Sequence, residues 1–319
     1  TAPPPGGFPS DSPLAIAPVG ASEQAMTFDK QIRMLRIYRP TQPGHLAPLV
    51  VMLHGGLGTA KDAETAYGWD ALAERDGFVV LYPQALDNNW NVGGGCCGLA
   101  ASTGVDDVGF VKAAIDYTRA HVSIDPGRIY VTGMSSGGML AYRLACDTTV
   151  FAAIGPVAAT ELGDCPNPGP VSVMHVHGSA DPTVPYAGGQ GEGIISISGP
   201  AIPKLHRTWS ELDRCGGDVV QTSGAVTVAT ASCPNNRVVE LVTIDGGGHD
   251  WPGVIHRGPL GASPSPAPSI PGAGVWPPPT VSAPVVGPTA ATPTSAPTAA
   301  AAAYPTTEML WAFFKTQAR

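Results

Sequence analysis

Ser135 stands in Gly133-Met134-Ser135-Ser136-Gly137-Gly138, directly after the short strand-like run Ile129-Tyr130-Val131-Thr132 and before a helix-like stretch. A G-x-S-x-G turn between strand and helix holds a serine hydroxyl clear of the backbone, where a base can activate it for attack. Small residues at 133 and 137 let such a turn close. Helix amides beginning just behind the serine offer partial positive charge where an oxyanion develops. In a chain with 40 glycines the pattern alone is weak, and a glycine-rich turn without chemistry is the alternative. The strand before it and the helix after it give it weight.

Two further residues could complete a proton relay. The strand-like Val171-Ser172-Val173-Met174-His175-Val176-His177 runs into Gly178-Ser179-Ala180-Asp181-Pro182, and the run from Arg237 to Ile244 leads into Asp245-Gly246-Gly247-Gly248-His249. Ser135, Asp181 and His249 each fall just beyond the carboxyl end of an expected strand, where open α/β sheets bind ligands. Ser135 would attack a carbonyl, His249 would move its proton to the leaving alcohol, and Asp181 would hold the imidazole in one tautomer. Asp181 could instead cap a turn before Pro182, and His249 could be an ordinary loop residue. Asp245 and Asp250 stand too near His249 in sequence to be preferred as its orienter, and Asp213 and Asp218 fall at an expected helix end. Three suitable residue types in this order favour the triad. The oxyanion would take one donor from the amide of Ser136 and one from Gly56, which follows Leu49-Val50-Val51-Met52-Leu53-His54-Gly55. His54 reads as a brace for that loop rather than a second base.

Elements must carry these residues. Gln31 to Arg39 alternates as an early strand, pairing with residues near Met26. Leu49–Leu53 and Phe78–Tyr82 are apolar runs bounded by turns, as interior strands of a parallel sheet are. Asp62 to Arg75 supplies a helix between them. Val105 to His121 has apolar positions at helical spacing, and Met139 to Cys146 forms the helix behind Ser135. Phe151 to Val157 is a further apolar segment, and Ala201 to Leu212 reads as a helix. Thr307 to Gln317 reads as an amphipathic helix with Met309, Leu310, Phe313 and Phe314 toward the core. Strands alternating with helices predict a layered α/β fold with a mostly parallel sheet.

Bulk composition narrows the function. The 319 residues are 43% hydrophobic, enough for a sizeable core, and are expected to form a single catalytic domain. Seventeen basic against 25 acidic residues give a formal charge of −8, so nucleic-acid binding is a poor reading. No apolar run approaches the length of a membrane span. The six cysteines at 96, 97, 146, 165, 215 and 233 include no C-x-x-C pair and fit an oxidising compartment, with any signal peptide already removed. Cys215 and Cys233 bracket a probable strand pair and are expected to bond. Cys96 and Cys97 are expected to reach Cys146 and Cys165, in an order left open. Six reduced cysteines in a cytosolic enzyme are the alternative.

Two stretches lack regular signals. Residues 1–20 are an irregular lead-in rich in Pro, Gly and Ala. Residues 252–303 are dominated by Pro, Ala, Ser, Thr and Gly, with Arg257 as the one charged side chain, a composition that favours irregular chain. This insert could cover the substrate cleft with Val275-Trp276-Pro277 as an apolar finger, or be a surface excursion of low thermodynamic cost; the excursion is preferred. Trp90 and Trp251 could line the cleft or simply pack.

Taken together, Leu53-His54-Gly55-Gly56, Gly133-Met134-Ser135-Ser136-Gly137-Gly138, His177-Gly178-Ser179-Ala180-Asp181-Pro182-Thr183-Val184-Pro185-Tyr186 and Gly248-His249-Asp250-Trp251-Pro252 resemble the extracellular polyhydroxybutyrate depolymerase group, which is close to secreted feruloyl and acetylxylan esterases. The likeness runs over most of residues 30–252 and resumes in the last helix. It implies a secreted serine esterase of the α/β-hydrolase fold with no cofactor. The group's nucleophile falls on Ser135, its acid on Asp181, its base on His249 and its oxyanion donors on the amides of Gly56 and Ser136. The Cys96-Cys97-Gly98 loop is also met in that group, whereas the insert at 252–303 departs from it.

The expected activity is hydrolysis of carboxylic esters through an acyl-enzyme, by a monomer acting on a short polyester. Feruloyl or acetyl esters of plant polysaccharide are the near alternative. Peptide hydrolysis would need a wall for extended backbone, and a binding module would need none of the three triad residues. His175 and His177 share one strand face, but a metal site there lacks an obvious third ligand, and none is expected.

Overall fold

Along β3 (Ala47–Leu53), Leu49, Val51 and Leu53 face one core while Val50 and Met52 face another, so the strand is buried on both sides. β4 (Val79–Pro83) and β5 (Ile124–Met134) alternate in the same way. The computed structural model describes residues 16–166, 168–193, 197–254 and 303–319. The other strands are β1 (Gly20–Phe28), β2 (Gln31–Arg39), β6 (Ala153–Val157), β7 (Ser172–Gly178), β10 (Val219–Ser223), β11 (Val226–Ser232) and β12 (Val238–Ile244), with β8 (Gly189–Gln190) and β9 (Ser198–Gly199) as a separate short ribbon. Ten strands form one sheet in the order β1-β2-β4-β3-β5-β6-β7-β12-β11-β10. The six from β4 to β12 run parallel, and an antiparallel hairpin extends the sheet at each edge.

Helices cover both faces. On one lie α4 (Asp107–His121), α5 (Ser136–Asp147) and α6 (Ile202–Leu212), which bury Val111, Leu140 and Trp209. On the other lie α1 (Ala60–Ala66), α2 (Trp69–Asp76) and α7 (Thr306–Phe314), which bury Ala63, Trp69 and Phe314. A short helix α3 (Gly98–Ser102) follows the double cysteine. The chain has the three-layer α/β-hydrolase fold. Each fully buried Leu or Phe of α7 contributes about 2 kcal/mol to holding it on the sheet.

Three expectations are corrected. The helix expected over Asp62–Arg75 is two helices, because Gly68 adopts φ 74°, a left-handed conformation that ends α1 and redirects the chain. On α7 it is Trp311, not Met309, that joins Leu310, Phe313 and Phe314 in the core; Met309 is 39% exposed. Cys146, at the end of α5, bonds Cys165 in the loop after β6, across a Cα separation of 5.1 Å. That leaves Cys96 and Cys97 to bond each other, where Gly93, Gly94 and Gly95 curl the loop back on itself. Cys215 and Cys233 clasp the open end of the β10–β11 hairpin.

Of the two irregular stretches, residues 1–15 and 255–302 lie outside the described residues, and with them Trp276. The two flanks of the second are side by side. The Trp251 indole donates to Thr307 Oγ1 at 3.1 Å, the Thr307 hydroxyl donates to the Tyr67 carbonyl at 2.6 Å, and Gly253 packs on the Tyr304 carbonyl. Among the described residues no helix is long and apolar enough to cross a membrane.

Candidate active site

The turn from β5 into α5 places Ser135 at φ 53° and ψ −120°, a conformation of high energy for a residue with a side chain. It is stabilised from both sides: the Ser135 amide donates to Val157 O at 2.9 Å, and the Ser135 carbonyl accepts from Met139 at 2.9 Å. Gly137 is required here by close approach, since a Cβ would strike the carbonyls of Leu53 and His54. α5 can therefore start directly beneath the loop after β3.

Asp181 and His249 leave neighbouring parallel strands, β7 and β12, and their loops are joined. Ala180 N donates to Gly247 O at 2.9 Å, Ser179 N to Ile244 O at 2.9 Å, and the Ser179 hydroxyl to Asp245 at 3.0 Å. Gly178 packs on the Gly247–Gly248 backbone.

The structure brings Ser135, His249 and Asp181 into one line. His249 Nδ1 is 2.8 Å from Asp181 Oδ2, and His249 Nε2 is 2.9 Å from Ser135 Oγ. A carboxylate only accepts, so Nδ1 carries the hydrogen and Nε2 is left to accept the serine proton. Asp181 is buried, whereas Ser135 is half-buried and the His249 side chain is 20% exposed, so the serine end of the line is open to solvent and the carboxylate end is not. Asp181 also makes the turn that the sequence offered as its alternative role: its Oδ1 accepts from the amides of Thr183 and Val184, each at 2.8 Å. Asp-Pro-Thr-Val carries the signal for that turn, an Asp whose side chain reaches the amide two residues on. Three of the other acids weighed for the role are engaged elsewhere, Asp213 with Arg237, Asp218 with His206 and Asp245 with Ser179.

Gly56 lies in the loop after β3, and its neighbour Gly55 packs on Met134 and Ser135. Among the described residues, the amides of Gly56 and Ser136 donate to no protein acceptor. His54 braces this loop. Its Nδ1 donates to Gly55 O at 2.8 Å, its Nε2 accepts from Ala85 N at 3.1 Å, and burial draws its pKa down to about 4.

Trp90 and Trp251 are corrected from cleft wall to core. Trp90 is fully buried, with its indole N–H on His54 O at 2.8 Å, and Trp251 stacks on Tyr67 with centroids 4.5 Å apart. Both rings are enclosed because their polar ends find partners inside the protein. His175 and His177 each use both ring nitrogens in hydrogen bonds. One group of potential metal-binding residues occurs among the described residues, Cys146, Glu161 and Cys165, and its two sulfurs are joined as a disulfide.

The family model described as esterase PHB depolymerase matches residues 36–190. NocK of Nocardia uniformis subsp. tsuyamanensis, a protein named as a candidate esterase, is 30% identical over 235 residues, which are 65% of this chain and 66% of NocK. Feruloyl esterase B of Piromyces equi is 30% identical over 217 residues, 64% of this chain and 39% of that protein. The chain thus spans less than two thirds of these relatives' length. Among solved structures, acetyl xylan esterase from Aspergillus awamori matches with a TM-score of 0.54 and 16% identity, covering 72% of this chain and 94% of that one, a likeness of fold. The triad geometry and these matches agree, and the chain is similar to the PHB depolymerase and feruloyl-esterase-like serine esterases.

Proposed function

We propose that this protein is a secreted esterase that cleaves short aliphatic polyesters of the 3-hydroxybutyrate type through an acyl-enzyme on Ser135. The hydrogen-bonded line Ser135–His249–Asp181 carries the reading. His249 Nε2 takes the hydroxyl proton as Ser135 Oγ bonds to the ester carbon, and the carbonyl π electrons move onto oxygen. The amides of Gly56 and Ser136 receive that oxyanion, a role in which one lost donor costs about 3 kcal/mol. Collapse expels the alcohol with the proton from His249; water, deprotonated by His249, then releases the acid and restores Ser135.

Burial of Trp90 and Trp251 removes the aromatic clamp that a feruloyl group would prefer, which favours an aliphatic acyl chain. The net charge of −8 favours an uncharged substrate over an anionic one. Three disulfides among the described residues support export to an oxidising compartment. Feruloyl or acetylxylan ester hydrolysis is the second reading, favoured by the likeness to feruloyl esterase B.

Wild type and Ser135→Ala are assayed side by side on p-nitrophenyl butyrate, amorphous poly(3-hydroxybutyrate), methyl ferulate and acetylxylan. Turnover of the polyester that disappears in the variant is expected. Preference for methyl ferulate or acetylxylan replaces the substrate assignment with the second reading. Equal turnover by both proteins, or none by either, overturns the esterase assignment and leaves a binding module on a hydrolase fold.

A further inference from the structure

Behind Asp181 runs a chain of buried polar groups that the reaction above leaves unused. Tyr142 lies on α5, two turns beyond Ser135, while His175 and His177 lie on β7 and face the same side of the sheet, as alternate strand residues do. The Tyr142 hydroxyl is 2.7 Å from His175 Nδ1, and His175 Nε2 is 2.9 Å from His177 Nδ1. His177 Nε2 is 2.8 Å from the Val184 carbonyl and 3.4 Å from Asp181 Oδ2. All these side chains are buried.

One end decides the direction of every hydrogen. The Val184 carbonyl only accepts, so His177 Nε2 carries a hydrogen. Burial pulls both imidazoles below their ordinary range, so each is neutral and has one bare nitrogen. His177 Nδ1 then accepts from His175 Nε2–H, and His175 Nδ1 accepts from the Tyr142 hydroxyl. Every ring nitrogen is engaged, which leaves no lone pair for a metal. Glu161 acts on Tyr142 and His206 on His175 through their charges, and Tyr186 stands beside His177. Tyr142 and His175 lie against the apolar core beside Trp209, where hydrocarbon side chains would avoid the desolvation cost. The polar choice is explained by what the far end holds.

We propose that Tyr142, His175 and His177 form a positioning array for the acid of the triad. His177 Nε2–H is shared between the Val184 carbonyl and Asp181 Oδ2, the same oxygen that receives His249. It fixes the turn that presents the carboxylate and draws off part of its charge. Through Tyr142 the array also ties the helix behind the nucleophile to the loop that carries the acid. Its catalytic arm rests on the serine-esterase reading above; its structural arm does not.

The experiment has two readouts. In wild type, long-range proton–nitrogen spectra of the imidazoles report His175 and His177 as neutral Nε2–H tautomers, with or without turnover of any ester. A Nδ1–H tautomer at either residue overturns the array, whereas failure of all esters in wild type overturns only the functional reading. In His177→Leu, kcat falls about tenfold to a hundredfold with KM unchanged. The acidic limb of its pH–rate profile moves to higher pH, because Asp181 keeps more of its charge for His249. His177→Gln, which returns an N–H donor to this position, recovers most of both. A folded His177→Leu protein with wild-type kcat and profile overturns the proposal, as does a loss that His177→Gln fails to repair.

Discussion

Asp181 divides its two oxygens between structure and chemistry. Oδ1 holds the turn through two amides, and Oδ2 faces His249. Asp181→Asn should therefore keep the turn and lose the chemistry. An amide nitrogen facing His249 Nδ1 favours the tautomer whose Nε2 cannot accept from Ser135, so kcat drops about 10⁴-fold while the melting temperature stays near wild type. Kinetics on a p-nitrophenyl ester beside a thermal melt checks both halves. His54 links the same site to stability. Its pKa is about 4 in the fold against an ordinary 6.5, so the unfolded chain takes the proton first as pH falls. The stabilisation is complete above 6.5 and declines toward 4, by about 3 kcal/mol in all. Asp70, raised by burial to about 6, works the other way, losing stability as pH rises from 3.8. A comparison of wild type with His54→Gln isolates the imidazole. The deficit of the variant in urea unfolding should shrink by about 2–3 kcal/mol between pH 7 and pH 4.5; a constant deficit contradicts the assignment.

At the scale of elements, the β10–β11 hairpin extends the sheet beyond β12 and is closed by Cys215–Cys233, 18 residues apart. β10 is exposed along its length and buries little of its own. The clasp carries much of its stability, and replacing both cysteines by alanine should lower the unfolding free energy by about 3 kcal/mol. Ester hydrolysis should be unchanged, which denaturant melts and kcat on one preparation test together. What the sequence disclosed at this scale was local. Alternation along Leu49–Leu53 and the strand–turn–helix at Ser135 are decided by neighbours a few residues away, so both could be read directly. Other features were decided at a distance. Trp90 is buried because its indole meets the His54 carbonyl 36 residues back, and Cys97 forgoes a remote partner because Cys146 already faces Cys165. The Tyr142–His175 contact spans 33 residues and two elements. Two histidines at strand spacing were visible; the tyrosine that orders them was not.

On the scale of the whole molecule, the triad joins residues 68 and 114 positions apart, so the central strands must all be in register before the line from Asp181 to Ser135 exists. The flanks of residues 255–302 meet just past His249, where Trp251 reaches Thr307 and Gly253 reaches Tyr304. Anchors this close need no long connection. Replacing 255–302 by a Gly-Ser linker about one eighth as long should leave the fold intact and add up to about 2 kcal/mol of stability from reduced loop-closure entropy. An unchanged kcat/KM on p-nitrophenyl butyrate is expected of a surface excursion, and a changed one identifies a cover. The same closure makes this point of the chain a socket. A guest domain with adjacent termini, spliced between Val254 and Ala303, would sit a few residues from His249. Ester cleavage would then rise and fall with the guest's own folding, and the enzyme would become a sensor for whatever binds the guest.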